Sequence, residues 1–302
     1  MSRTSFALGS RKSPGLMEAS TRGRSLWDDA LRRMLRNKAA IGSLALLTAL
    51  ILAAIVGPLL TPFTYDHIDK VGVWVPPLTG GHVLGTDSLG RDLLARLLAG
   101  LGVSLEIGVV ATVVSLAIGI LWGAAAGYFG GWLDEVMMRF VDVLYALPFI
   151  FFVILLMVTF GRNFILMFVA FGFVQWLTMA RIVRGQTLSL KQMEFIEAAR
   201  AAGLGGGAII GRHIVPNLLG PVVVYVTLTI PDVIMTESVL SFLGMGVQEP
   251  LTSLGTLISN GATEMELAPW LLIFPSIVMV ATLMAFNFIG DGLRDAIDPK
   301  ER

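Results

Sequence analysis

The feature that most constrains this chain is a series of apolar runs, each long enough to cross a lipid bilayer. A hydrocarbon core about 30 Å thick needs roughly 20 apolar residues in a helix, and the run from Ala39 to Leu60 has that length without a charged residue. Because lipid satisfies no backbone hydrogen bonds, such runs must be helical. Further spans are predicted at residues 102–127, 136–160, 163–182, 217–242 and 269–289.

Composition supports the same fold class, an all-α integral membrane protein with six transmembrane helices. The 302 residues are 55% apolar and 15% charged, whereas a soluble domain carries about 25% charged residues. The chain has no cysteine, which excludes disulfides, Cys-ligated metals and thiol catalysis. Its formal net charge of zero gives no indication of a nucleic-acid partner. The first run lacks a clear small-residue cleavage site, so we interpret it as an uncleaved anchor in the bilayer.

The distribution of Lys and Arg predicts the orientation of the spans. If the basic N-terminal tail is inside, 18 of the 22 Lys and Arg residues fall in cytoplasmic segments and four fall in outer segments. By the positive-inside rule, both termini and the loop at about 191–216 are therefore predicted to be cytoplasmic. The predicted organisation is a cytoplasmic tail (1–38), a first span (39–60), a periplasmic loop with an interfacial helix (61–101), a five-helix core (102–290) and a second cytoplasmic tail (291–302).

Two local patterns concern the second predicted span: one lies just before it and the other lies within it. In the string GTDSLGRDLLARLLAG, Thr86 or Asp87 can cap a helix, and leucines at helical spacing form its apolar stripe. This pattern predicts the interfacial helix. Within the span, Gly119, Gly123 and Gly127 recur every four residues, which predicts close packing against another helix.

A polar, Gly-rich insert from Lys191 to Pro221 separates two apolar spans. Its first half, residues 192–202, has the composition of an amphipathic helix. Gly203 is predicted to end that helix, and Pro216 suits the first turn of the next one. On physical grounds alone the insert is either a functional loop or an ordinary connection lying on the bilayer.

Four carboxylates lie in or near the predicted spans, where ionised groups are costly and indicate function. Glu106 and Asp142 lie close to span ends, so interfacial or helix-pairing roles are favoured for them. Asp232 lies near the middle of a span beside Pro231, where a kink can free a carbonyl and admit water. Asp232 is therefore our candidate for the polar wall of a translocation path.

No enzymatic, cofactor or metal site is predicted. The histidines His67, His82 and His213 do not cluster at metal-ligand spacing. The chain contains no GxxxxGK[ST] sequence, so it is not expected to hold the phosphates of ATP. No nucleophile with a base, and no carboxylate pair, suggests catalysis.

The insert resembles the EAA loop of ABC importer permeases. It carries the triplet EAA at 197–199, then three intervening residues and Gly203, and the string HIVP at 213–216. His213 and Val215 stand where that family usually has Ile and Leu. The resemblance implies a type I importer permease, whose loop forms two short helices bent at the glycine and docks on a cytoplasmic ATPase. The residues it implicates in ATPase coupling are Glu197, Ala198, Ala199, Gly203, His213 and Pro216.

Other strings are similar to the C-type permease subunits of oligopeptide importers, among them GTDSLGRD, RHIVPN and FNFIGDGLRDAIDPK. The string TESVLSFLGMG resembles a segment near the outer gate of that family, which implicates Glu237 in the translocation path together with Asp232. The resemblance implies four kinds of partner in a bacterial inner membrane: a homologous B-type permease, two ATPase subunits of D and F type, a periplasmic peptide-binding protein and the lipid bilayer. ATP and Mg would be bound by the ATPases and not by this chain.

Two alternatives remain open at this point. A dipeptide, nickel or other small-solute importer of the same family would share most of these strings. A stand-alone secondary transporter would need coupling-ion sites, commonly built from broken helices in two related halves, and the sequence contains no convincing internal repeat.

Overall fold

The computed structural model describes residues 32–161 and 164–297, except the side chains of 164 and 165. The expectations for residues 1–31 and 298–302 lie outside the described residues. The helices that lie wholly inside them are α1 (Lys38–Leu60), α2 (Leu93–Phe129), α3 (Gly131–Tyr145), α4 (Phe149–Phe160), α5 (Phe164–Leu190), α6 (Glu194–Ala201), α7 (Gly206–Ile209), α8 (Val215–Phe242), α9 (Leu254–Thr263) and α10 (Trp270–Ile297).

Five of the predicted spans are present as helices that are long and apolar enough to cross a membrane: α1, α2, α5, the continuous α7–α8 unit and α10. The bent pair α3–α4 passes the same test when its two halves are taken as one span, which gives six. Helix α2 has 37 residues, or about 55 Å at 1.5 Å per residue, so it extends well beyond a hydrocarbon core. The predicted fold class, an all-α membrane protein, is confirmed.

Helix α2 begins later than the sequence predicted. Its N-cap is Asp92, whose Oδ2 accepts a hydrogen bond from the Ala95 N–H at 2.8 Å. Asp87 cannot cap it because its Oδ1 already accepts hydrogen bonds from the N–H groups of Leu89 and Arg91, both at 2.9 Å, within a tight turn. The predicted interfacial helix is thus the first turns of α2 and not a separate element.

The small-residue stripe of α2 packs directly on α5, as its spacing predicts. A Cβ added at Gly127 would lie 2.8 Å from the Thr187 Cβ, and one added at Gly119 would lie 2.6 Å from the Met179 Cβ. Both distances are shorter than carbon atoms tolerate, so only glycine permits this approach of the two backbones. The contact positions α5, which carries the polar side chains described below.

Two spans differ from their predicted bounds in ways that matter for function. The third span, predicted at 136–160, is broken into α3 and α4, which are bent by 77°. The sixth, predicted to end at residue 289, continues to Ile297 into the predicted tail. Its extension packs against the start of α1, because a Cβ on Gly292 would lie 2.7 Å from the Ala40 Cβ.

The segment between the last two spans folds back into the protein. Ser253 caps α9, accepting a hydrogen bond from the Thr256 N–H at 3.0 Å. Leu254 and Leu257 of α9 are buried in a core cluster with residues of α2, α8 and α10. The end of α8 is therefore covered by a short helix that hydropathy alone does not reveal.

Candidate functional site

The predicted coupling loop has a well-defined backbone stop at Gly203. Its φ is +82°, and its N–H bonds the Arg200 carbonyl at 2.9 Å while the Leu204 N–H bonds the Ala199 carbonyl at 3.1 Å. These two bonds form a Schellman cap, whose left-handed residue is usually glycine. The sequence prediction that Gly203 ends helix α6 is confirmed, and the chain turns sharply here.

The two faces of α6 separate structural residues from accessible ones. Ile196 and Ala199 are buried against a cluster that includes Ile209 and Ile214, so Ala199 supports the loop from inside this chain. The remaining predicted coupling residues lie at the surface, with His213 half-buried: Glu197, Ala198, Gly203, His213 and Pro216. An ATPase contact through them stays a prediction.

Two cations fasten this loop to the end of α2. The Arg200 guanidinium lies 5.3 Å from the centre of the Tyr128 ring, and the Lys191 ammonium lies 5.9 Å from it. Such cation–π contacts hold charged side chains over an aromatic face. The loop is therefore attached to the transmembrane bundle at both its start and its bend, as a rigid link requires.

Sequence reasoning missed two apolar residues of the loop surface. Met193 and Phe195 are 50% and 42% exposed, beside the exposed Glu197. The Phe195 ring also lies 6.5 Å, centre to centre, from the His213 ring, which joins the two halves of the loop. Met193 is the N-cap residue of α6 and has an extended backbone, so the helical periodicity of residues 194–201 does not set the direction of its side chain.

A cavity of about 380 Å3 lies at the break between α3 and α4. The break at residues 146–148 supplies one wall, and α5 and α8 supply the others. Irregular backbone inside a membrane is tolerated where it lines a cavity. The polar residues in the wall are Tyr145, Gln175, Thr178, Asp232 and Thr236.

Asp232 faces this cavity, bonded to Gln175. The Gln175 Nε2 donates to Asp232 Oδ2 at 2.8 Å, across 57 residues of sequence. Asp232 lies ten residues before the α8 end at Phe242, or about 15 Å along the helix. Its exposed carboxylate is at a depth where contact with lipid is costly, which supports the prediction that it borders a polar space.

An ion pair on the same face extends this polar surface. Arg181 bonds Asp142 at 2.8 Å, with the two side chains 40% and 52% exposed, and its guanidinium also lies 4.2 Å from the centre of the Tyr145 ring. Asp142 thus pairs α3 with α5, which is one of the two roles that the sequence favoured for it. The pair lies close to the predicted ends of both spans, where charged side chains can reach water.

The second predicted path residue, Glu237, is enclosed. It is 0% exposed, and the hydroxyls of Ser241 and Ser253 each donate to its Oε1 at 2.7 Å. A Cβ on Gly255 would lie 2.9 Å from Oε2. The carboxylate thus ties α9 to α8 in this conformation, and its exposure to a translocation path stays a prediction.

The GTDSLGRD string forms a buried charge cluster beside this region. Arg91 bonds Asp87 and Glu249, both at 2.7 Å. Burial disfavours the Arg91 cation, but its bonds to these two carboxylates outweigh that cost and raise its pKa above the ordinary value. Arg96, in the first turn of α2, is 1% exposed and 3.6 Å from Asp87. These side chains therefore hold the loop before α2 against the segment that contains Glu249.

Metal-ligating side chains do not gather into a site in the described part of the chain. No group of three His, Asp or Glu side chains there could hold an ion. His82, which the sequence analysis assigned to a loop, bonds Asp92 through Nδ1 at 2.8 Å and stacks on Phe63. This contact orients the cap of α2.

Comparisons with known proteins agree with the arrangement of spans and loop. The family model described as binding-protein-dependent transport system inner membrane component matches residues 119–302. A second model, the N-terminal TM domain of oligopeptide transport permease C, matches residues 25–77. Together they cover both ends of the described bundle.

Individual relatives are similar over almost their whole length. The oligopeptide transport system permease protein OppC of Escherichia coli K12 is 55% identical over 281 residues, or 93% of each chain. The protein of the same name from Haemophilus influenzae is 52% identical over 94% of this chain and 92% of its own. That of Bacillus subtilis is 42% identical over the same shares.

Proposed function

This chain belongs to the family of binding-protein-dependent transport system inner membrane components, and from that premise we propose that it is the membrane-spanning permease subunit of an ATP-driven oligopeptide importer. The observation that carries the proposal is a side of the bundle that combines a midspan carboxylate with a cavity at a broken helix, next to an exposed ion pair near the span ends. If lipid alone surrounded the bundle, the Asp232 carboxylate would face hydrocarbon, which is energetically costly for an ionised group.

This polar side is where a homologous B-type permease would complete the translocation path. Asp142, Arg181 and Asp232 would then border water between two subunits instead of lipid. Peptides delivered by a periplasmic binding protein would cross along this surface. The enclosed Glu237 would reach the path only after α9 separates from α8, because Ser253 and Gly255 cover it now.

Energy would come from two cytoplasmic ATPase subunits, which bind ATP and Mg. The loop surface formed by Met193, Phe195 and Glu197 offers apolar area next to a negative charge. Its attachment to α2, and its continuity with α8 through the π-helical turn Ile210–Ile214, would transmit ATPase closure to α8, the helix that carries Asp232. This chain is thus a non-catalytic subunit of the transporter.

Reconstitution tests the substrate and the energy source together. The chain should be purified with its partner permease and ATPases, placed in liposomes and supplied with binding protein and ATP. We expect uptake of trialanine and pentaalanine that stops without ATP. Preference for dialanine alone would favour the dipeptide alternative, and proton-driven uptake by the isolated chain would overturn the proposal in favour of a secondary transporter.

We also propose that both termini and the coupling loop are cytoplasmic in the inner membrane. The cysteine-free background permits a direct test with single cysteines at Ser189 and Glu266, both exposed. A membrane-impermeant thiol reagent added to intact cells should label the cysteine at Glu266 and spare the one at Ser189. Ser253, an apparent outer position in the sequence, is unsuitable because it is 0% exposed. The reverse labelling pattern would refute the orientation.

A further inference from the structure

We propose that the cavity at the broken span is a subsite for the α-ammonium group of the peptide that is being transported, with Asp232 as the charged ligand. The inference rests on the proposed peptide substrate and identifies which part of the peptide this chain recognises. Two independent features of the cavity favour an organic cation: its carboxylate and its aromatic wall.

Asp232 supplies an uncompensated negative charge. Its Oδ2 accepts the hydrogen bond from Gln175, and no Lys, Arg or His forms an ion pair with it among the described residues. Arg181, the cation on this face, is already bonded to Asp142. A carboxylate at this depth is stabilised by a cation that arrives with the ligand.

The aromatic wall favours an ammonium over an inorganic cation. Rings of Phe149, Phe152 and Phe173 line the space, and the faces of such rings attract ammonium groups by cation–π interaction. The Tyr145 ring in the same wall already holds the Arg181 guanidinium. Metal cations instead prefer a shell of several oxygen ligands, which this wall does not supply. The volume of about 380 Å3 falls within the range of small-molecule pockets.

The remaining polar wall of the cavity comes from α5 and α8. The hydroxyls of Thr178 and Thr236 supply further polar contacts for the first peptide groups behind the ammonium.

The test uses the assembled transporter in lipid nanodiscs, without binding protein or ATP. Because this chain has no cysteine, a Thr178→Cys variant places one reporter thiol in the cavity wall, and Thr236→Cys places a second. Alkylation by N-ethylmaleimide is followed by mass spectrometry of this chain alone. The probes are trialanine and N-acetyl-trialanine at equal concentrations, with sodium chloride as the inorganic cation.

We expect trialanine to slow alkylation at both positions and N-acetyl-trialanine to have no effect. Asp232→Asn should raise the trialanine concentration for half-protection about tenfold, as expected for the loss of one charge-assisted hydrogen bond. Glu106→Gln is the matched control, since Glu106 is an exposed carboxylate of α2 outside the cavity wall. It should leave protection unchanged.

Three results would overturn the inference: equal protection by the acetylated peptide, equal protection by sodium chloride, or no protection at either thiol. A second measurement distinguishes an error in the subsite from an error in the proposed function. It is the ATP-driven uptake of trialanine by the same variants, with the binding protein present. Normal uptake without protection refutes the subsite alone, whereas absence of uptake in the unmodified transporter refutes the peptide permease itself.

Discussion

Replacing Gly203 with alanine tests whether the bend of the coupling loop matters for ATPase attachment. A Cβ at this position would meet no atom within 4 Å, so steric overlap within the chain contributes nothing. The cost arises from the backbone, because φ is +82° and an L-residue in the left-handed region costs about 1–2 kcal/mol. If the loop docks on the ATPases in its bent form, as we propose, we expect the exposed last turn of α6 to unwind in the free variant and to be strained again on docking.

That strain converts directly into weaker docking. At 1.4 kcal/mol per factor of ten, a cost of 1–2 kcal/mol lowers the affinity for the ATPases about 5- to 30-fold. The assay is titration of purified ATPase subunits onto the permease pair in nanodiscs, followed by peptide-stimulated ATP hydrolysis. Gly203→Val should have the larger effect, since β-branched residues are outliers at positive φ.

Gly207→Ala is the matched control in the same loop. Gly207 also has open space around its Cβ position, but it lies in α7 and is not among the glycines with positive φ. Its replacement should leave ATPase affinity unchanged or slightly improved, because alanine is favoured over glycine in a helix. Equal affinity in the Gly203→Ala and Gly207→Ala variants would refute the assignment of this loop as an ATPase contact that depends on the bend.

Two further predictions concern the bundle itself. Gly123→Ala places a Cβ 2.9 Å from the Arg184 backbone nitrogen and should destabilise the chain by about 1–3 kcal/mol through overpacking. This loss of stability is measured by thermal unfolding of the purified complex. Gly42→Ala is the control: a Cβ at Gly42 meets no atom within 4 Å, so this variant should unfold at the normal temperature. Glu237→Leu should destabilise the assembled complex by about 1–3 kcal/mol, since two buried hydroxyls lose their acceptor, whereas Glu237→Gln keeps an acceptor and should assemble normally. If the Glu237→Gln variant assembles normally but no longer takes up peptide, that result would support the prediction that Glu237 lines the translocation path.

Much of the coupling loop could be predicted because its determinants are local. The helix of α6 follows from spacing within a few residues, and Gly203 marks its end through a conformation that glycine alone adopts readily. The stripe of Gly119, Gly123 and Gly127 likewise indicated a tight helix contact. The partner helix, α5, is identified only by the tertiary contacts of Gly127 with Thr187 and of Gly119 with Met179.

The cavity could be predicted only in part. Asp232 could be recognised as an ionisable residue in an apolar run, but the 77° bend between α3 and α4, which follows Pro148, could not be predicted. Proline permits a kink, and the packing of both half-helices decides how far the chain bends. The bond between Gln175 and Asp232 joins residues 57 positions apart, and no periodicity in either helix encodes that pairing.

For this protein, the sequence by itself determined the membrane class, the six apolar spans and the helix stop at Gly203. The physical reason is that hydropathy and backbone preference act over one helix at a time. Only the tertiary structure decided that Asp92 caps α2 in place of Asp87, that Glu237 is enclosed by α9, and that the broken span opens a cavity at Asp232. Each of these features depends on contacts between segments that are distant in the sequence. Such contacts form, and contribute to stability, only when the helices are packed together.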